Sequence, residues 1–261
     1  MGVNKQKQVE ILELLRNPDT GNAVVQENGF LVDHEAGESF PVREEIPVIL
    51  RKDDVFGWNR KSQRGYDLGS YLYDLLYRFN LLNLNKWLAE IAEIIEAKTG
   101  DYILETSVGT GQQLRNLKSY GVDGHFFGND ISFGMLKKCS KNLESWGIDA
   151  GLVQGNAEAL PFGSELFDVV FHVGGFNFFN DKKIAIREMI RVGKPGANIY
   201  LVDESIELAQ PPKWLAWLLP DPKPEIYAPP LKYIPDDMLN VAEYELLDRK
   251  FWMVAFKKPQ T

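Results

Sequence analysis

The chain has 261 residues, of which 44% are hydrophobic and 25% are charged, and this composition predicts a globular protein with one large domain and room for a small second one. A net charge of −8 with scattered basic residues disfavours a nucleic-acid partner, because phosphate binding needs a positive surface. The single cysteine, Cys139, excludes a disulfide framework and a cysteine zinc site. No apolar run reaches the ~18 residues of a membrane span and no signal peptide is recognisable, so we expect a cytoplasmic protein.

The first fifty residues are predicted to form a helix followed by short strands. Apolar residues recur at helical spacing in residues 6–16, and the turn-forming segment Asn17-Pro18-Asp19-Thr20-Gly21 ends this helix. Strand-like segments follow at residues 23–25, 30–32, 40–42 and 46–50. Asn28-Gly29, between the first two of these segments, is a signal for a β-hairpin.

A polar stretch at residues 51–65 is predicted to be a linker, and two helices follow it. Residues 66–79 are amphipathic and include Tyr66 and Tyr73, and residues 84–97 carry an apolar stripe at helical spacing.

From residue 102 onward, strand-like and helical segments alternate. Strands are predicted at residues 102–105, 126–130, 150–154, 167–173 and 198–202, and helices at residues 112–120, 133–146 and 181–192. This alternation predicts an α/β fold with a doubly wound parallel sheet. Residues 205–236, which hold eight of the fourteen prolines, interrupt it, and residues 241–247 and 251–257 are predicted to form a terminal hairpin.

A glycine turn after the first of these strands is the most informative stretch of the chain. Gly109-x-Gly111 can aim backbone N–H groups at a ligand, although the motif alone does not specify which ligand. Glu105 ends the strand and would repel a pyrophosphate, but it suits a ligand with an ammonium group and a sulfonium. Leu114 stands where a dinucleotide fingerprint has its third glycine, which disfavours NAD. Asp130 can accept both hydroxyls of a ribose, a feature common to either cofactor.

From about Tyr66 to the C-terminus, the chain resembles the class I S-adenosylmethionine-dependent methyltransferases, in particular the ubiquinone/menaquinone-biosynthesis branch (methyltransferase type 11). Residues 103–111 match the Glu-x-Gly-x-Gly-x-Gly motif of that family, residues 128–136 its acidic ribose loop, and residues 154–162 its adenine segment. The resemblance implies a seven-stranded, mostly parallel sheet of order 3-2-1-4-5-7-6 with strand 7 antiparallel. It further implies a methyl donor, S-adenosyl-L-methionine, and a small acceptor for which a lipophilic molecule is one option.

The resemblance also implies which residues serve the reaction. The residues expected to contact the cofactor are Glu105, Thr106, Ser107, Gly109, Gly111, Asp130, Ile131, Met135, Asn156, Ala157, His172 and Tyr66. Ser107 replaces a glycine of the family motif, and Asn156 replaces an aspartate, although its Oδ1 can still accept a hydrogen bond from an adenine amino group. His172, Asp203 and Tyr73 are candidates for a general base, with core packing or simple solvation as the alternatives.

Residues 1–52 resemble the small zinc-ribbon proteins that activate several methyltransferases. Residues 40–49 match the ending of those proteins, but Asn17-Pro18-Asp19-Thr20 stands where they have Cys-Pro-x-Cys. Since His34 also lacks cysteine partners, we expect no metal here and a ribbon used for packing or for recognising a partner. We therefore divide the chain into a degenerate ribbon (1–52), a linker with helices covering the cofactor site (53–98) and the methyltransferase domain (99–261).

Two other functions stay open at this point. One is a non-catalytic regulatory protein that binds S-adenosylmethionine or S-adenosylhomocysteine, and the other is a methyltransferase acting on RNA or protein. The apolar residues of 214–219 are expected to cover a lipophilic acceptor, touch a membrane surface or form an extra packed layer.

Overall fold

The computed structural model describes residues 6–50, 84–209 and 223–260. The longer helices are α1 (Gln6–Leu14), α2 (Leu84–Ile94), α3 (Gln112–Ser119), α4 (Phe133–Trp146) and α5 (Lys182–Val192). Two short helices, α6 (Ile206–Ala209) and α7 (Pro224–Tyr227), lie in the proline-rich region. The predictions for Tyr66, Tyr73 and residues 214–219 fall outside the described residues. None of the described helices is both long and apolar enough to cross a membrane.

The strands of the described residues belong to one sheet of eleven, in the order β1-β2-β3-β4-β7-β6-β5-β8-β9-β11-β10. The strands are β1 (Val25–Glu27), β2 (Phe30–Asp33), β3 (Glu38–Arg43), β4 (Ile46–Ile49), β5 (Tyr102–Thr106), β6 (His125–Asp130), β7 (Ala150–Gly155), β8 (Phe167–Val173), β9 (Gly193–Glu204), β10 (Leu239–Leu246) and β11 (Phe251–Lys257). The strands from β5 onward follow the expected order 3-2-1-4-5-7-6, and β11 is antiparallel to both of its neighbours. The predicted number of seven strands is wrong, because the four N-terminal strands extend the same sheet.

The N-terminal strands join the sheet through β4. All of its residues are buried, and Val48 and Ile49 pair in parallel with Gln154 and Gly155 of β7. A strand that is apolar on both faces needs cover on both faces. Pairing with the parallel sheet provides this cover, because the strands of a parallel sheet are buried on both faces. Before β4, the chain forms antiparallel hairpins, and the predicted turn at Asn28 and Gly29 is confirmed by their positive φ angles of 50° and 82°.

Helix α1 covers the face of the sheet over β6 and β7. Residues 156–166, which connect β7 to β8, contain no helix of their own. Ile11 and Leu15 occupy the face of the sheet that a helix in this connection would cover. Both are fully buried in a cluster with Phe127, Val153 and Phe162. The approach is so close that a Cβ at Gly151 would lie 2.7 Å from the carbonyl oxygen of Lys7. Helix α1 is therefore part of the main core.

A buried carboxylate organises the loop that follows α1. Asp33 Oδ2 accepts hydrogen bonds from Asn17 Nδ2 and Thr20 Oγ1, both at 2.8 Å, and Asp33 Oδ1 accepts one from Asn22 Nδ2 at 3.2 Å. Asn17 and Thr20 are the residues that stand where the ribbon family has its cysteines. His34 instead lies on the surface, with Nε2 2.9 Å from Glu27 Oε1. Among the described residues, no group of three histidine, cysteine or acidic side chains is placed to hold a metal.

Candidate functional site

A cavity of about 160 Å³ opens at the carboxyl ends of the central parallel strands. Loops after β5, β6, β7 and β8 meet there, as expected for a doubly wound sheet. The residues that were predicted for the cofactor and that line this cavity are Glu105, Ser107, Gly109, Asp130, Ile131, Met135, Asn156 and Ala157. The structure therefore brings together most of the described residues that the sequence singles out.

The glycine turn has left-handed backbone at alternate positions. Ser107, Gly109 and Gly111 have φ angles of 66°, 53° and 83°. Glycine adopts this conformation without strain, whereas a serine carries a Cβ that collides with its own carbonyl oxygen. Gly111 does not line the cavity: a Cβ there would lie 3.0 Å from Cys139 Sγ, so this glycine lets the turn pack against α4.

Glu105 is a buried carboxylate at the base of the cavity. It is only 3% exposed, and its Oε2 has no hydrogen-bond partner among the described residues. Burial, together with the nearby charge of Asp130, raises the pKa of Glu105 well above its usual value. A desolvated carboxylate of this kind is stabilised by a cation, and no described residue provides one here.

Asp130 both shapes the turn and faces the cavity. Its Oδ2 accepts a hydrogen bond from the N–H of Gly109 and its Oδ1 accepts one from the N–H of Ser132, each at 2.8 Å. These bonds tie the glycine turn after β5 to the end of β6. Asp130 also lines the cavity, at the position predicted for the contact with the ribose hydroxyls.

The adenine segment and its neighbours supply further polar atoms. Asn156 Oδ1, the predicted acceptor, already accepts a hydrogen bond from the N–H of Glu158 at 3.0 Å. Sequence reasoning missed three polar side chains that line the cavity and have buried atoms without partners, namely Thr110, Gln113 and Asn129. The signal that could have found them is their position, because each lies in or beside a turn at the carboxyl end of β5 or β6.

His172 and Thr106 lie beneath the cavity and do not line it. Both are fully buried, and Thr106 Oγ1 lies 3.1 Å from His172 Nδ1. The imidazole packs edge-on against the rings of Phe176 and Phe179, at centroid distances of 5.6 and 5.0 Å. Burial lowers the pKa of His172 to about 4, which keeps it neutral near pH 7. The structure therefore gives His172 a place in the core.

Asp203 is also engaged within the protein. It is 2% exposed, and its carboxylate accepts hydrogen bonds from the N–H groups of Asn177 and Glu204 at 2.6 and 2.7 Å. Burial raises its pKa to about 7, against the opposing effect of these hydrogen bonds. Asp203 thus holds the short 3-10 turn of residues 176–178 against β9, and the adjacent Glu204 lines the cavity instead.

Comparison with known families agrees with this geometry. Residues 104–201 match the family described as "Methyltransferase domain". This part of the chain is therefore similar to methyltransferase domains. The matched segment runs from β5 to β9 and includes the glycine turn, Asp130 and Asn156. The cofactor of such domains is S-adenosyl-L-methionine, as the sequence resemblance implied.

Curated relatives match the same region. The ubiquinone/menaquinone biosynthesis C-methyltransferase of Xylella fastidiosa (strain M12) is 34% identical over 142 residues, which are 53% of this chain and 56% of that protein. The corresponding enzyme of Stenotrophomonas maltophilia (strain R551-3) is 35% identical over 137 residues, or 51% and 54% of the two chains. The chain thus spans about half the length of the curated relatives it matches.

Solved structures share the fold of the methyltransferase domain. A putative S-adenosyl-L-methionine-dependent methyltransferase from Methanococcus maripaludis superposes with a TM-score of 0.57 at 18% identity. The superposition covers 75% of this chain and 94% of that one.

Proposed function

We propose that the protein transfers a methyl group from S-adenosylmethionine to a small acceptor. The observation that carries the proposal is Glu105, a buried carboxylate in the cavity with one oxygen that no described residue pairs. S-adenosylmethionine brings an ammonium group and a sulfonium, and it has no phosphate. A dinucleotide would instead place its pyrophosphate near Glu105, where a like charge would repel it.

The residues of the cavity fit this cofactor. Glu105 would hold the α-ammonium group, and Asp130 would accept hydrogen bonds from the ribose hydroxyls. Asn156 and Ala157 would lie along the adenine. The buried polar atoms of Gln113 and Asn129 that have no partner among the described residues would gain hydrogen bonds from the cofactor.

The sulfonium supplies the reactivity when the cofactor is bound. The task of the protein is therefore to position both substrates and to exclude water. Leu88, Val108, Val173 and Phe179 give the cavity an apolar wall, which serves the second purpose. Together with the names of the curated relatives, this wall supports a small and lipophilic acceptor.

We also propose that residues 1–52 serve as a packing module. Both α1 and β4 bury their apolar residues against the sheet, and the Asp33 cluster replaces a metal. This arrangement favours packing over the recognition of a partner.

Calorimetry with S-adenosylmethionine, S-adenosylhomocysteine and NADH tests the cofactor assignment. We expect the first two to bind and NADH not to bind. Glu105→Gln keeps the shape of the side chain but removes its charge, so cofactor binding should weaken by about 2 kcal/mol, or about thirty-fold. Glu144→Gln, on the exposed side of α4, should bind as the wild type does. Binding of NADH alone, or unchanged affinity in Glu105→Gln, would contradict the assignment.

Transfer of a labelled methyl group into extract fractions tests the catalytic part. The label should appear in the lipid or small-molecule fraction. Label in RNA or protein would assign a different acceptor, and cofactor binding without transfer to any fraction would point to a regulatory binding protein.

A further inference from the structure

The carboxyl end of β9 places two acidic residues side by side, and they have different surroundings. The carboxylate of Asp203 is buried and bonded to backbone N–H groups, as described above. Glu204 is half-buried and lines the cofactor cavity. No described residue forms a hydrogen bond or ion pair with its carboxylate, although the backbone oxygen of Glu204 accepts from Asn177 Nδ2 at 2.9 Å. Its side chain therefore lines the cavity without a hydrogen-bond or ion-pair partner among the described residues.

The cavity is open beside Glu204. Gly174 and Gly175 follow β8 with φ angles of 79° and 91°, and both line the same cavity. A Cβ at Gly174 would meet no atom within 4 Å. Phe179 adds an aromatic wall. A flat ring or a short chain would therefore find an apolar surface with one carboxylate.

The other two carboxylates of the cavity already have roles. Asp130 ties the glycine turn to β6, and Glu105 is assigned to the ammonium group of the cofactor under the proposed function. Glu204 is the third carboxylate in the lining, and the cofactor has no further group that requires it. Among the described residues, the titratable groups with an electrostatic interaction with Glu204 are Asp203 on the same strand and Tyr227 of α7.

We propose that Glu204 is a catalytic residue that binds the hydroxyl or amino group of the methyl acceptor and takes its proton. This inference rests on the proposed function. As the new bond between the methyl carbon and the acceptor oxygen or nitrogen forms, the carbon–sulfur bond breaks and its electron pair stays on sulfur. The acceptor proton passes to the carboxylate of Glu204, so the methylated product leaves without that proton. Burial raises the pKa of Glu204, which makes it a stronger base than an exposed glutamate.

The test uses 4-nitrophenol, whose phenolate is coloured, bound to the full-length protein saturated with S-adenosylhomocysteine. A neighbouring carboxylate favours the neutral phenol, so the apparent pKa of the bound probe should rise by about one unit or more in the wild type. Glu204→Gln removes the charge, and most of this rise should disappear. Glu207→Gln is the matched control, because Glu207 lies on α6, is not part of the cavity lining and has an Oε1 3.5 Å from Arg249 Nη2.

Calorimetry of S-adenosylhomocysteine with each variant separates the two proposals. Binding that is equal in the wild type and both variants, with loss of the probe shift only in Glu204→Gln, supports the inference. Equal probe shifts in all three proteins, or no probe binding despite bound S-adenosylhomocysteine, would overturn it. Failure of S-adenosylhomocysteine to bind the wild type would instead overturn the proposed function.

Discussion

Ser107 shows how one residue can depart from a family motif and keep the backbone that the motif requires. Its φ of 66° is the conformation for which glycine is suited, and the turn around it is fixed by the bonds from Gly109 and Ser132 to Asp130. The serine is therefore held in a strained conformation by its neighbours.

Replacing this serine tests the strain. Ser107→Gly should raise the free energy of unfolding by about 1 kcal/mol, because glycine has no Cβ to collide in the left-handed region. Urea denaturation at fixed pH measures the change. Ser107→Ala keeps the Cβ and should give no such gain. An equal gain in both variants would show that the hydroxyl group, rather than the Cβ, is the source of the strain.

Asp33 gives the protein a stabilising group that depends on pH. Burial opposes its ionisation, but hydrogen bonds from the Ala36 N–H and from the side chains of Asn17, Thr20 and Asn22 outweigh burial. They hold the pKa of Asp33 well below its usual value. Because the folded-state pKa is lowered, the stabilisation is present above the unfolded pKa and is lost as the pH falls through the folded pKa.

Asp33→Asn should therefore lower the urea midpoint at pH 7, since an amide NH₂ would face the donors of Asn17 and Asn22. The difference from the wild type should shrink as the pH falls below about 4, where the unfolded carboxyl group becomes protonated. Glu35→Gln, an exposed neighbour, should match the wild type at each pH. A difference that stays constant down to pH 2 would contradict a role for the ionised carboxylate.

The sequence predicts some of the cavity residues and not others, for a physical reason. Glu105 and Asp130 end buried strands beside a glycine turn, so their direction follows from strand geometry and from the family motif. Asp203 and Glu204 are the last two residues of β9, so their side chains point to opposite faces of the sheet. The sequence does not show which of the two faces the ligand. His172 is predicted to contact the cofactor but lies beneath the cavity, because a histidine in an apolar strand does not show from the sequence which neighbours surround it.

At the scale of elements, the sequence predicts α1 as a helix and β4 as a strand, but it does not predict which elements they pack against. Apolar spacing indicates that a helix has a buried face, and it contains no information about what covers that face. The contacts of Ile11 and Leu15 are made with residues more than about a hundred positions later in the chain. Only the structure shows that α1 replaces a helix missing between β7 and β8.

Ile11→Ala should lower the stability of the whole protein by about 3 kcal/mol, because it leaves a cavity between α1 and the sheet. All six tryptophans follow residue 52, so tryptophan fluorescence reports on the rest of the chain. If α1 belongs to the main core, the urea transition seen by fluorescence will shift. Val9→Ala, at a side chain that is 66% exposed, should change stability by less than about 0.5 kcal/mol. An unchanged fluorescence transition in Ile11→Ala would show that residues 1–52 unfold independently.

At the scale of the whole molecule, the alternation of strands and helices gives the parallel sheet, and the family resemblance gives the order of its strands from β5 onward. The division at residue 52 remains a prediction, although the sheet itself crosses it through β4 and β7. A single hydrogen-bonded layer thus runs from the N-terminal hairpins to the C-terminal hairpin. Both faces of that layer are covered by apolar clusters that combine residues from distant parts of the sequence.

The pairing of β4 with β7 also sets an order of events during synthesis on the ribosome. Val48 pairs with Gln154, about a hundred residues later, so the N-terminal strands emerge long before their partner exists. Contacts of such high sequence separation slow folding, and an unpaired edge strand is open to other chains during the delay. The nascent N-terminal segment thus stays without its partner strand until residue 155 has left the exit tunnel.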